Sequence, residues 1–179
     1  MTASAKRAKG VRALKALLLV AILALGLLPG LFAPEKAHAA SGTVTLVGWE
    51  DSITEYGWTQ RTRYMELNGQ LAICCQHFSD TPPVGTPATV IEADVSNDLM
   101  RKVAWYGWGG PGSLSELSLV QTACAMSNAN NEDLTLTGRD ALAAVADLPS
   151  PPSSFVLTKW STGGVTQDLV TWTYQPYGG

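Results

Sequence analysis

Hydrophobic and polar residues alternate over three short stretches in the first half of the chain. The alternation begins at 44–46, continues over 58–67 and resumes over 71–75. A period of two places successive side chains on opposite faces of a β-strand. Asn68-Gly69 separates the last two stretches, and this dipeptide between alternating runs is typical of a two-residue β-hairpin. The pattern therefore predicts a hairpin whose second strand ends in two adjacent cysteines.

Helical spacing of apolar residues follows in the middle of the chain. Capping residues at 96–98 precede a short amphipathic run, which predicts a helix before the glycine-rich bend at 106–112. Ser113 and Glu116 have the spacing of a capping box. A second helix is therefore predicted over about 114–127, with a stripe of buried side chains on one face.

The remaining segments complete a mixed domain. Prolines and a glycine within 80–88 predict a loop that covers the cysteine strand. A third helix is predicted over 139–148, and two apolar runs separated by "STGG" predict a closing hairpin. These elements predict an α+β fold, with a β-sandwich or barrel-like sheet assembly and a small helical subdomain.

The first 39 residues have the composition of a secretory signal peptide. Five cations precede an apolar run over 16–28, which is shorter than the ~20 residues that a transmembrane helix requires. Ala37-His38-Ala39 offers small residues at a cleavage position. We therefore predict a signal peptide over 1–39 and one mature domain over 40–179. The mature protein is expected to be secreted or extracellular, with attachment to the cell surface left open.

Cleavage after position 39 removes those five cations and leaves an acidic mature chain. Nucleic acids and anionic membrane surfaces attract basic proteins, so neither is an expected partner. The length of the mature chain is that of one independently folding domain, and we expect a monomer.

Few catalytic arrangements are available to the mature segment. His77 is its single histidine, which disfavours serine and cysteine hydrolases. A Cys-His pair could be drawn from Cys74 or Cys75 with His77, but catalytic pairs usually come from separate elements, and these residues lie at one strand end. The three cysteines and His77 could be counted as zinc ligands, but zinc sites usually draw ligand pairs from two places. We therefore expect no metal and no cofactor. In an oxidising compartment the odd number of cysteines predicts a disulfide from Cys124 to Cys74 or Cys75 and one remaining thiol.

Four stretches, taken in order, carry a recognisable pattern. They are "NGQLAICCQHFSDTPPVGTP", "NDLMRKVAWYGWGGPG", "LSLVQTACAMSNAN" and "SPPSSFVLTKWSTGGVTQDLVTWTY". Together they resemble the thioester domain of Gram-positive bacterial surface proteins, and the resemblance covers essentially the whole mature chain. In that family a small residue, an aromatic residue, a cysteine and an apolar residue precede a Gln-His or Glu-Pro pair.

The resemblance implies that Cys74 is the reactive cysteine of an adhesin domain. Its sulfur would bond to a glutamine side-chain carbonyl with loss of ammonia, which forms an internal thioester. A lysine amine of a host surface protein would then attack the thioester and form an isopeptide bond, once and without enzymatic turnover. The resemblance also implies that Cys74 faces the helix and that Cys75 packs on the other face or pairs with Cys124. The alternative is a non-covalent extracellular binding module of the same fold that has lost the thioester.

The family places its glutamine in a Thr-Gln-x-Ala motif at a helix start, and two registers are open here. Aligning 122–127 keeps the threonine but places Ala123 at the glutamine position. Aligning 120–123 keeps Gln121 and loses the threonine. Helical spacing puts Gln121 on the apolar stripe, where capture by the cysteine would remove a buried amide that otherwise needs partners. We favour Gln121 as the thioester partner, with loss of the thioester as the alternative.

Overall fold

Six strands in the described part of the chain form a closed antiparallel barrel. The structure, a computed structural model, describes residues 40–76, 79–131, 134–164 and 166–176. The barrel order is β1-β2-β3-β6-β5-β4. The strands are β1 (Ser41–Glu55), β2 (Trp58–Leu67), β3 (Gln70–Cys74), β4 (Pro87–Glu92), β5 (Phe155–Ser161) and β6 (Leu169–Tyr174). The predicted signal peptide and His77 lie outside the described residues.

Three helices are described between β4 and β5. They are α1 (Asp98–Tyr106), α2 (Leu119–Ala129) and α3 (Leu136–Ala146). Together with the ring of strands they confirm the predicted α+β class, with a barrel-like sheet and a small helical part. Within the described residues, no helix has the length and apolar character needed to cross a membrane.

The predicted hairpin between β2 and β3 is confirmed. Asn68 and Gly69 have φ values of 53° and 75°, the two positive values that a type I′ turn requires. Met65 pairs with Ala72 in the antiparallel register that follows. The closing hairpin of β5 and β6 is also confirmed by their antiparallel pairing. The proline-rich loop is shorter than predicted, since β4 already begins at Pro87, where a proline is tolerated as the first residue of a strand.

The start of α2 differs from the prediction. The helix begins at Leu119 after a capping box made by Ser118 and Gln121, and not by Ser113 and Glu116. Ser113 belongs instead to the glycine-rich bend, where its N–H donates to the carbonyl oxygen of Gly110 at 3.1 Å. The sequence contains two Ser-x-x-Glu/Gln spacings here, and the bend leaves only the second free to start a helix.

Two separate cores result from the pleat of the sheet. A small core fills the barrel, and we call it the barrel core: Val44, Met65, Leu67, Ala72, Cys74, Ala88, Trp160 and Leu169. A larger core lies between the sheet and the three helices, and we call it the helical core; its members include Ile73, Cys75, Ala123, Met126, Phe155 and Val170. Strand β3 contributes to both, because alternate side chains point to opposite faces.

Candidate functional site

Cys74 lies at the end of β3 with its side chain in the barrel core. It is 3% exposed, and its Sγ lies 3.8 Å from the hydroxyl oxygen of Thr62, which is also buried. Burial raises the pKa of Cys74 to about 12, although the hydrogen bond with Thr62 partly opposes this shift. The nearby Cys124 thiol adds a smaller contribution in the upward direction. At neutral pH Cys74 is therefore a protonated thiol, and any reaction at its sulfur requires removal of that proton.

Cys75 has a different environment. Its Sγ donates to the carbonyl oxygen of Asp168 at 3.3 Å, and its own N–H donates to the same oxygen at 3.0 Å. Its carbonyl oxygen accepts a hydrogen bond from Asn130 Nδ2 at 3.3 Å. Cys75 thus faces the helical core and Cys74 the barrel. Ala72 and Cys74 are the residues of β3 that point into the barrel core, while Cys124 of α2 lies close enough to interact with the Cys74 sulfur.

Gln121 lies in the first turn of α2, a helix that packs against β1, β2 and β3. The strand that carries Cys74 and the helix that carries Gln121 are therefore in contact, as predicted. Gln121 is half-buried, and its Oε1 accepts a hydrogen bond from the Ser118 N–H at 3.0 Å. The Ser118 hydroxyl in turn accepts from the Gln121 N–H at 3.3 Å. Cys74 contacts Thr62 and Gln121 contacts Ser118. The Cys74–Gln121 bond stays a prediction.

The competing register gives Thr122 and Ala123 different roles. The Thr122 hydroxyl donates to the Ser118 carbonyl at 2.9 Å and accepts from the Trp108 N–H at 2.8 Å. A Cβ added at Gly107 would overlap the Thr122 side chain, so the glycine-rich bend docks tightly on α2. Ala123 is buried in the helical core. It therefore shares an environment with Cys75 and not with the barrel core.

The third cysteine, Cys124, lies one helical turn beyond Gln121. Burial raises the pKa of Cys124 to about 11, a hydrogen bond with Thr135 lowers it, and the charge of Glu55 raises it further. Cys74, Cys75 and Cys124 are all thiols, and no disulfide joins any two of them. The predicted disulfide between Cys124 and a neighbouring cysteine is thus absent from the structure. Cys75 and Cys124 are oriented toward different groups, the Asp168 backbone and Thr135.

The comparisons with known proteins concern the fold. No family model matches the chain, and no curated protein matches it. The chain is similar to two domains of bacterial surface proteins. One is the N-terminal domain of the Streptococcus pyogenes pilus tip adhesin Cpa, with 11% identity and a TM-score of 0.44 over 71% of this chain and 93% of that chain. The other is the N-terminal thioester domain of a surface protein from Clostridium perfringens, with 17% identity and a TM-score of 0.44 over 73% and 96%.

An aromatic cluster adjoins the start of α2. Trp108 meets the rings of Trp49 and Tyr64 edge-on, with centroids 5.7 and 6.0 Å away, and Trp49 stacks on Tyr64 at 5.9 Å. Asp51, two residues after Trp49, accepts a hydrogen bond from the Val120 N–H of α2 at 2.9 Å. The cluster is tied to the first turn of the helix that carries the glutamine by the Trp108 N–H, which donates to the Thr122 hydroxyl.

Two features of the site were not predicted from the sequence. The Thr62 hydroxyl contacts the Cys74 sulfur, and the sequence gives no sign of this because Thr62 stands between two exposed arginines of β2. Asp51 satisfies a free N–H at the start of α2 from a strand almost 70 positions earlier, which no local pattern reveals. Among the described residues, no group of three or more acidic, histidine or cysteine side chains could hold a metal ion.

Proposed function

We propose that this domain is a secreted adhesin module that forms an internal thioester between Cys74 Sγ and the side-chain carbonyl of Gln121. A lysine amine of a host surface protein then captures the acyl group in an isopeptide bond. The observation that carries the proposal is the buried Cys74 thiol on a strand packed against the helix of Gln121. The motif resemblance described above supplies the chemistry.

The positions on α2 favour Gln121 over position 123. Residues three apart on a helix share a face, so Gln121 and Cys124 are neighbours on the surface of α2. Cys124 is close enough to Cys74 to raise its pKa. Position 123, in contrast, faces the core that contains Cys75. The face of α2 that is electrostatically coupled to Cys74 is thus the face that carries the glutamine.

Formation of the bond exchanges one set of partners for another. The Gln121 amide leaves the Ser118 N–H, and losing that cap contact costs about 1 kcal/mol. The Cys74 sulfur then bonds to the amide carbon, the C–N bond breaks, and the nitrogen leaves as ammonia with the thiol proton. The product is an acyl group held in a buried site that excludes water.

Attack of an amine on the thioester releases Cys74 as a thiol again. The amine nitrogen attacks the acyl carbon, the C–S bond breaks, and an amide joins Gln121 to the partner. A high pKa for the Cys74 thiol means that the departing sulfur takes up a proton, so the amine proton ends on sulfur. The released thiol is not regenerated as a thioester by this step. The domain therefore reacts once and is not an enzyme.

A non-covalent binding module is the second candidate function. It is favoured by one observation, the capping box in which Gln121 already has a complete structural role. If that role is the only one, Cys74 is a small buried residue of the barrel core and the partner is bound reversibly.

Intact-mass measurement of the secreted protein, before and after incubation with methylamine, tests the proposal. The thioester lowers the mass by one ammonia, and methylamine converts it into an adduct on Gln121. The matched control is Gln121→Glu, because glutamate also fits a capping box but has no ammonia to lose. A parent protein of full mass that never takes up methylamine would overturn the thioester and leave the non-covalent module.

A further inference from the structure

A pocket lies between the tip of the β1–β2 hairpin and the start of α3. Its volume is about 290 Å³, and its lining residues are Glu55, Tyr56, Trp58, Gln60, Leu134, Thr135, Leu136 and Thr137. Trp58 and Leu134 expose 73% and 74% of their surfaces at its rim. Tyr56 and Leu136 are exposed beside them, and a contiguous apolar patch of this kind marks an interaction site where single exposed residues would not. The type I′ turn at Tyr56-Gly57, with φ values of 55° and 79°, fixes the hairpin side of the pocket.

The charge of the pocket is negative. Glu55 is half-buried in its wall, and no ion pair between described residues gives the Glu55 carboxylate a cation. Arg139 lies near the hairpin tip but pairs with Asp140 at 3.0 Å. The other carboxylate oxygen of Asp140 accepts the Tyr56 hydroxyl. Arg139 is therefore engaged elsewhere, and Glu55 remains available to a cationic ligand.

The wall of the pocket leads toward Cys74. Trp58, Gln60 and Thr62 alternate along β2 and so share one face of the strand. Trp58 and Gln60 line the pocket, whereas Thr62 contacts the Cys74 sulfur. Thr62, about 7 Å further along the strand than Gln60, is thus the next residue on the face whose first two members line the pocket.

A second connection runs beneath the pocket. Thr135, which lines the pocket, is hydrogen-bonded to the Cys124 thiol. The Thr135 N–H also donates to Asn128 Oδ1 of α2 at 2.8 Å. Thr135 thus joins the pocket to the helix that carries Gln121.

We propose that this pocket recognises the side chain of a lysine on the partner protein and directs its amine toward the acyl group at Cys74. The aliphatic part of the lysine packs on Trp58 and Leu136, and the ammonium group binds Glu55 with a cation–π contribution from the indole ring. Recognition of the lysine stands on the pocket alone, whereas the transfer step rests on the proposed function. On transfer the ammonium loses two protons, one to solvent and one to the departing sulfur.

Binding is tested without the covalent step in the Cys74→Ala variant of the secreted protein. The ligands are Nα-acetyl-lysine methylamide and its norleucine analogue, which keeps the aliphatic chain and lacks the charge. The Trp58 indole N–H resonance is followed by NMR. We expect saturable shifts with the lysine compound and binding about fivefold weaker, equivalent to about 1 kcal/mol, for the norleucine compound.

Glu55→Gln in the Cys74→Ala background should reduce lysine binding to the level of norleucine. Glu50→Gln is the matched control, because Glu50 lies on the same hairpin but pairs with Arg61 and Arg63. Equal binding of the two compounds, insensitivity to Glu55→Gln, or Trp58 shifts with methyl glucoside in place of lysine would each overturn the proposal. The last result would identify the pocket as a carbohydrate site.

The covalent arm uses the protein with Cys74 intact. Glu55→Gln should slow adduct formation with the lysine compound by about fivefold and leave the reaction with neutral hydroxylamine unchanged. Equal slowing with both nucleophiles would contradict a role for the pocket in amine selection. If neither nucleophile forms an adduct with the parent, the proposed thioester fails, while the NMR measurement still decides whether the pocket binds lysine.

Discussion

Cys74 and Cys75 are adjacent in the sequence and buried to nearly the same degree, yet they belong to different parts of the molecule. Cys74 points into the barrel core, where its sulfur contacts the Thr62 hydroxyl. Cys75 points into the helical core, where its sulfur donates to the Asp168 backbone. Adjacent positions on one pleated strand thus place the Cys74 thiol against a side-chain hydroxyl and the Cys75 thiol against a main-chain carbonyl.

The different partners of the two sulfurs indicate different roles. A thiol that donates to a backbone carbonyl helps to connect β3 with the segment before β6, a structural contact that any change of partner would break. The sulfur of Cys74 contacts a hydroxyl on the strand face that leads to the proposed lysine pocket. Under the proposed function, Cys74 carries the chemistry and Cys75 packs the helical core.

The largest expected effect follows from replacing each of these two cysteines by alanine in a separate variant. Cys74→Ala should abolish the methylamine adduct completely, because it removes the sulfur that holds the acyl group. Cys75→Ala should retain the adduct, with a loss of about 1 kcal/mol in the free energy of unfolding from the missing hydrogen bond. Intact mass and urea unfolding measure the two effects. Retention of the adduct in Cys74→Ala, or its loss in a folded Cys75→Ala, would reverse the assignment.

The second prediction concerns the reactivity of Cys74 as a thiol. In the Gln121→Glu variant Cys74 is not acylated, and a pKa near 12 should keep it protonated. At pH 8 its alkylation by iodoacetamide should be slower than that of an unfolded cysteine by about three orders of magnitude. The rate should rise with pH until it approaches pH 12, and Cys124, with a pKa of about 11, should react ahead of it.

Peptide mapping after timed alkylation assigns each rate to its cysteine. The same variant in denaturant provides the reference rate for the unfolded thiols. Alkylation of Cys74 at pH 8 as fast as in denaturant would show that the sulfur is not sequestered in the barrel core.

Local features of the fold could be predicted from the sequence. The Asn68-Gly69 turn is specified by two residues that readily adopt positive φ, and the Asn97 cap of α1 by a side chain that bonds the Leu99 and Met100 N–H groups. Both interactions span only a few positions. Sequence neighbours are sufficient to establish such features.

The orientation of the site could not be predicted in the same way. Alternation shows that Cys74 and Cys75 face opposite sides, but which side is the barrel depends on how β1 and β4 close the sheet. The start of α2 likewise depends on the Trp108 N–H reaching the Thr122 hydroxyl from the bend. These contacts are tertiary, and the local sequence contains two equally good capping boxes.

The third prediction applies one substitution to both cores. Met65 and Met126 are each 0% exposed, the first in the barrel core and the second in the helical core. Replacement of either by alanine should lower the free energy of unfolding by about 2–5 kcal/mol. In the Gln121→Glu background, only Met65→Ala should also speed alkylation of Cys74, because it opens a cavity in the core that contains that sulfur. Equal acceleration by Met126→Ala would mean that the two cores are not separate.

The smallest expected effect tests the hydroxyl that contacts the Cys74 sulfur. Thr62→Val keeps the shape of the side chain and removes the hydrogen bond that lowers the pKa of Cys74. The pKa should rise further, so alkylation of Cys74 in the Gln121→Glu background should slow by no more than about tenfold, the equivalent of one pKa unit. Thr122→Val is the matched control, since the Thr122 hydroxyl bonds Ser118 and Trp108 instead. It should lower the stability of α2 and leave the pH at which Cys74 reacts unchanged. A shift of the Cys74 profile with Thr122→Val but not with Thr62→Val would place the reactive sulfur on the helical side of β3 and invert the comparison of the two cysteines.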